Sequence, residues 1–181
     1  FNDLSVPSHL TTLEYTRIVK SLLSDDGIYM LNMIDMYNPG LFLSAFVKTL
    51  REVFPYVYVF NSGRPPSVRD TFVIVCSNVP RDLRGVPDAV RAHNPYGGHL
   101  LETAAVDQLL ARTQARVLTD DYAPTELQLM PVVLHGNSGF GQEHFGNALQ
   151  AASAGNIDAA LQECALAIDG HPGWPDAYEL A

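Results

Sequence analysis

Two β-rich runs, Tyr56–Phe60 (YVYVF) and Thr71–Cys76 (TFVIVC), lie either side of a polar loop, Asn61 to Val68. That spacing constrains the fold more than any other feature. Parallel neighbouring strands need a crossover of a dozen or more residues, usually a helix, and this loop is too short to hold one. The two runs are therefore expected to pair antiparallel. Thr71–Cys76 is apolar on both faces and reads as a central strand, whereas Tyr56–Phe60 alternates more and reads as the edge.

The segments before this hairpin read helix, strand, helix. Thr11-Thr12-Leu13-Glu14 fits a capping box with Thr11 as N-cap and Glu14 reaching back. Tyr15, Ile18, Val19, Leu22 and Leu23 then recur at helical spacing. Asp25-Asp26-Gly27 stops this helix, and Ile28–Ile34 (IYMLNMI) is an apolar run of the kind expected for a buried parallel strand. Asn38-Pro39-Gly40 reads as a turn, and Leu41, Phe42, Ala45, Phe46, Thr49, Leu50 and Val53 mark a second amphipathic helix that ends at Pro55.

Beyond the hairpin, residues 79–98 are rich in Pro, Gly and Arg and read as loop or short irregular helix. His99–Arg112 reads as a helix packed through Leu100, Leu101, Ala104, Ala105, Leu109 and Leu110. His135–Gly141 reads as a linker, and the chain from Gln142 is Ala-rich and helical. The expected division is a part-domain over 1–130, a linker over 131–141 and a helical tail over 142–181.

Charge is also unevenly distributed along the chain. Residues 1–116 hold 11 Lys+Arg and 11 Asp+Glu, whereas residues 117–181 hold no Lys or Arg and 9 Asp+Glu, so the net charge of −9 sits entirely in residues 117–181. Such a surface repels phosphate backbones, which argues against nucleic acid and for cationic ligands or basic protein surfaces. Cys76 and Cys164 are the only cysteines and form no C-x-x-C pair, which suggests a reducing compartment. The six histidines show no metal-ligand spacing, so no metal site is expected.

An α/β sheet that closes on an antiparallel hairpin resembles the S-adenosylmethionine-dependent transferase fold, and four ordered stretches narrow the resemblance. They are Asn2–Glu14 (NDLSVPSHLTTLE), Gly27–Asp35 (GIYMLNMID), Arg69–Val75 (RDTFVIV) and Leu118–Pro124 (LTDDYAP). Together they resemble the spermidine synthase-like proteins over roughly residues 1–126, in particular a bacterial group often fused to membrane transporter segments. The implied fold is the C-terminal part of a Rossmann-like sheet. The implied activity is transfer of an aminopropyl group from decarboxylated S-adenosylmethionine to a polyamine. Intact S-adenosylmethionine with methyl transfer, or a non-catalytic scaffold, are the rival expectations. The implied location is the cytoplasm, or the cytoplasmic face of a membrane if transporter-like spans are present.

The resemblance places residues as well. Asp3, in the acidic loop expected at the carboxyl end of a parallel strand, is the nearest match to the family's catalytic Asp. Asp35 and Tyr37, at the carboxyl edge of the Ile28–Ile34 strand, are expected either to line the acceptor pocket or simply to terminate the strand. Asp120, Asp121 and Tyr122 are expected either as a lid segment that returns over the site with its carboxylates or as a helix cap with a turn fixed by Pro124. The Gly-rich loop that would hold the donor is not in this sequence, and Gly136-x-x-Gly139-x-Gly141 has the wrong spacing to replace it. Residues 1–181 alone are therefore expected not to turn over.

The tail has a separate signature. Ala148, Gly155, Ala160, Ala167 and Pro172 fall at the spacing of a tetratricopeptide repeat, and Tyr178 falls where a following repeat would begin. Such helices suggest a protein partner, and a homo-oligomer is left open. A plain helical hairpin packed on the first domain is the rival expectation.

Overall fold

A computed structural model describes residues 6–63, 69–91, 98–135 and 138–170. A 3-10 turn at Ser8–Leu10 leads into α1 (Leu13–Leu22), β1 (Ile28–Met36), α2 (Leu41–Arg51), β2 (Tyr56–Asn61) and β3 (Arg69–Ser77). Then come α3 (Val86–Arg91), β4 (His99–Leu100), α4 (Thr103–Arg112), α5 (Thr125–His135), α6 (Ser138–Ser153) and α7 (Ile157–Gly170).

The four strands form one sheet in the order β1-β3-β2-β4. β3 is antiparallel to β2, with Val59 opposite Ile74, and antiparallel to β1, with Leu31 opposite Ile74. The hairpin expected from the short loop is present, and β3 is the inserted central strand. Phe72, Ile74 and Cys76 on β3 are wholly buried. Because β1 and β2 both oppose β3, they run parallel to each other across it, joined through α2.

One face of the sheet packs on helices. Register places Tyr29, Leu31 and Met33 of β1, Phe72, Ile74 and Cys76 of β3, and Val57 and Val59 of β2 on that face. α2 covers it with Phe42, Leu43, Phe46, Val47 and Leu50, and Phe54 follows. The Phe42 and Phe46 rings stack 5.7 Å apart at 8°. Val106 and Leu109 of α4 and Leu129 and Val132 of α5 complete the core. Side chains of this kind each contribute about 1.5–3 kcal/mol when fully buried.

Several boundaries differ from the sequence expectation. The Ile28–Ile34 run extends to Met36, its direct pairing is antiparallel, and it is not buried on both sides: Ile28 and Met30 are 47% and 67% exposed. Among the described residues β1 has no neighbour on its other edge. Tyr56–Phe60 is not wholly an edge, because Phe60 and Asn61 pair with Leu100 and His99 of β4. His99–Leu100 is thus strand, and the helix begins only at Thr103. The packed side of this segment is Val106 and Leu109, with Leu101 and Leu110 partly buried against the core as expected, whereas Ala104 is exposed. Thr12 rather than Thr11 caps α1, with its hydroxyl accepting from the Tyr15 N–H at 3.2 Å. The stretch expected as a linker carries the end of α5 and the start of α6.

α6 and α7 pack as an antiparallel hairpin through small buried side chains, Ala148, Ala160, Cys164 and Ala167. His144 Nδ1 and Glu163 Oε2 join them at 2.5 Å.

Candidate functional site

Asp3 lies outside the described residues. Asp35 is placed, and its carboxylate is fully engaged by backbone. Oδ1 accepts from the Met36 N–H and Oδ2 from the Leu43 N–H, each at 2.7 Å. Leu43 is the third residue of α2, whose N-cap is Gly40, so the helix has no side-chain cap of its own. Asp35 supplies the acceptor that the free amides at a helix start require. It is 1% exposed, and burial pushes its carboxyl up to about 7 against the opposing pull of amide hydrogen bonds from Leu43, Met36 and Phe42. Asp35 thus braces the start of α2.

Tyr37 is likewise bonded within the fold. Its hydroxyl donates to the Ala105 carbonyl at 3.0 Å, and Arg112 of α4 donates to the Tyr37 carbonyl at 2.8 Å while its guanidinium lies 5.4 Å from the Tyr37 ring centre. These contacts tie the β1–α2 turn to α4.

Asp120, Asp121 and Tyr122 sit in a tight turn closed by two hydrogen bonds of 2.9 Å between Thr119 and Tyr122. This turn is held against α1. The Leu13 N–H donates to the Leu118 carbonyl at 2.8 Å, and the Asp120 N–H donates to Glu14 Oε2 at 3.0 Å. The Leu118 N–H donates to Thr49 Oγ1 of α2 at 2.8 Å. Glu14 therefore bonds the distant turn instead of closing a capping box.

Where the turn meets α1 there is a groove of about 240 Å³ lined by Ser8, His9, Thr12, Glu14, Tyr15, Ile18, Asp120 and Ala123. Glu14 and Asp120 are among its lining residues, and among the described residues no Lys or Arg is. Asp121 and Tyr122 do not line it. Both are exposed, and Arg116 covers the Tyr122 ring at 4.2 Å. An acidic groove of this size suits a small cation better than an anion. His9 adds an imidazole to the lining. Glu14 and Tyr15 were missed as candidates because the first fits a capping box and the second fits a helix core face.

The described residues do not fit an adenosine-containing donor. Such ligands bind at a Gly-rich strand-to-helix turn with open amides. The β1–α2 turn has a single Gly at its helix start, and Asp35 already occupies the amides there. No helix among the described residues is long and apolar enough to cross a membrane.

The fold is similar to that of a spermidine synthase. A solved structure, a probable spermidine synthase from Corynebacterium glutamicum ATCC 13032, matches over 66% of this chain with a TM-score of 0.52 and 16% identity. The match spans 44% of that protein's length. At this identity the likeness concerns the fold alone. No family description matches the sequence, and no curated protein matches it closely.

Proposed function

We propose that the chain forms the acceptor-side half of a spermidine synthase-like aminopropyltransferase. The likeness in fold carries this reading, with β3 inserted antiparallel between two parallel strands. The acidic groove at Glu14 and Asp120 supports it. In the reaction, a neutral amine of the polyamine attacks the aminopropyl carbon next to the sulfonium of decarboxylated S-adenosylmethionine. The C–S bond breaks, the thioether leaves, and the new ammonium loses a proton. Carboxylates serve both the cationic acceptor and the proton. Asp3 is the proposed base, with Glu14 and Asp120 holding the distal ammonium. Donor binding belongs to βα units outside these residues, so residues 1–181 alone make no product.

The test is product formation from decarboxylated S-adenosylmethionine and putrescine. A polypeptide extended N-terminally through the donor-binding units is expected to form aminopropylated product, and residues 1–181 are expected to form none. Product from residues 1–181 alone would contradict the division of labour. Methyl transfer from intact S-adenosylmethionine by the extended polypeptide would replace the reading.

The tail supports a second role. We read α6–α7 as one tetratricopeptide-like repeat unit, on its small-residue interface and on Leu149, Ile157 and Leu161, which remain exposed on its outer surface. A repeat pair buries such a face against the next pair or a partner. Recovery of bound protein with and without residues 142–181 tests this, and equal recovery would contradict it.

A further inference from the structure

A second groove, of about 480 Å³, lies on the sheet face opposite α2. Its apolar walls are Tyr58, Pro80, Leu83 and Leu100, and Arg81, Asp82 and Arg84 line it as well. Leu100 pairs with Phe60, two residues along β2 from Tyr58, so Tyr58 and Leu100 share one face, while Val57 and Val59 alternate to the α2 core. The segment after β3 folds back over that face, and the Arg81 N–H donates to the Tyr58 hydroxyl at 2.8 Å. A groove of this volume is large enough for a small organic molecule.

The two guanidinium groups of this groove are not equivalent. Arg84 closes on Asp82 as a fork, Nε to Oδ1 at 2.9 Å and Nη2 to Oδ2 at 2.7 Å, so that pair carries no net charge. The Arg81 guanidinium instead donates to neutral acceptors, from Nε to Ser77 Oγ at 3.4 Å and from Nη2 to the Asp26 carbonyl oxygen. Among the described residues no carboxylate forms an ion pair with it. The Asp26 carboxylate accepts from Ser24 Oγ at 3.0 Å and does not line the groove. Ser77 is wholly buried, so Arg81 is anchored on a fixed point. Arg81 therefore supplies the positive charge of the groove, and it is already held in place. A guanidinium so placed loses little freedom on meeting a carboxylate, whose two oxygens its planar fork matches.

We infer that this groove is a binding site for a small organic monocarboxylate, its carboxylate on Arg81 and its aryl or acyl body against Tyr58, Leu83 and Leu100. A single unpaired guanidinium matches a monoanion, whereas a doubly charged phosphate would leave charge unmet. The apolar walls give an organic body a surface to bury, which a bare ion lacks. The site is separate from the acidic groove. That groove opens at the start of α1, whereas Asp26 lies beyond its end, and the helix of ten residues spans about 15 Å. The two grooves also differ in sign, so a ligand of one is repelled by the other. The inference does not rest on the transferase reading, and the failure of either leaves the other standing.

The experiment is an amide NMR titration of residues 1–181 with benzoate, with uncharged benzamide and with inorganic phosphate, at one pH and one ionic strength. Benzoate is expected to give saturable shifts at Tyr58, Arg81, Leu83 and Leu100 and none at Glu14 or Asp120. Benzamide is expected to give none, and phosphate to bind at least ~10-fold more weakly than benzoate. Arg81→Gln removes the charge and is expected to weaken benzoate by about 10-fold or more. Asp82→Asn, at an exposed side chain, frees the Arg84 guanidinium and is expected to tighten benzoate by about 2-fold. Should Arg81→Gln fail to fold, the unaltered protein and Asp82→Asn decide the matter. No saturable shifts with benzoate, equal shifts with benzamide, phosphate as tight as benzoate, or weaker benzoate binding by Asp82→Asn would each overturn the inference.

Discussion

Glu14 Oε2 and the backbone N–H of Asp120 meet at 3.0 Å across 106 residues of sequence. This bond brings the start of α1 and the Thr119–Tyr122 turn together and creates the acidic groove between them. Replacing Glu14 separates its two roles. Glu14→Gln retains an acceptor for the amide but removes one charge, so stability is expected to change by less than about 0.5 kcal/mol while binding of a dication weakens. Glu14→Ala is expected to cost about 1 kcal/mol as well. Urea unfolding and calorimetric titration with spermidine measure the two effects.

Asp35 makes stability depend on pH in a direction opposite to that of a surface carboxylate. Its folded value of about 7 lies above the ordinary 3.8 because burial disfavours the charge. The neutral carboxyl therefore contributes stability that is full below about pH 4 and is lost as pH rises through about 7. The loss is on the order of 4 kcal/mol for a shift of this size. Asp35→Asn carries no titrating group, so its unfolding free energy between pH 5 and 8 is expected to be flatter than that of the unaltered protein. Carboxyl NMR of Asp35 reads the midpoint directly.

Gly40 holds φ at +69°, and a Cβ there would lie 2.8 Å from the Tyr37 carbonyl oxygen and 3.0 Å from Leu109 Cδ1. Both the backbone conformation and the lack of space favour glycine. Gly40→Ala is expected to lose about 1–3 kcal/mol, read as a lower urea midpoint with an unchanged slope.

Thr49 is buried within α2, donates to the Ala45 carbonyl at 2.8 Å, and accepts from the Leu118 N–H at 2.8 Å. Thr49→Val keeps the shape and strands that amide. A loss of about 1–3 kcal/mol is expected, with faster hydrogen exchange at Leu118.

The hairpin was legible because loop length alone rules out a crossover, and the apolar run of β1 marked it as a strand. β4 was not legible: His99 and Leu100 are two residues followed directly by a helical pattern, and only pairing with Phe60 and Asn61 makes them a strand. The role of Asp35 had a signal that periodicity does not weigh. α2 begins after a Gly with no side-chain cap, so its first amides need an acceptor from elsewhere, and the nearest carboxylate upstream is Asp35. The groove could not be found from sequence, because the bond that builds it joins two segments that local patterns assign to separate tasks. Ile18 and Leu22 of α1 and Ile28 and Met30 of β1 read in sequence as ordinary core positions and are exposed in the structure.

The most direct test of the acidic groove as a polyamine site is an amide NMR titration of residues 1–181 with spermidine, set beside the uncharged 1,4-butanediol. Shifts confined to His9, Glu14, Tyr15 and Asp120 that appear with spermidine, fade with added salt and are absent with the diol are the result expected. No shifts at these residues, or the same shifts with the diol, would contradict it.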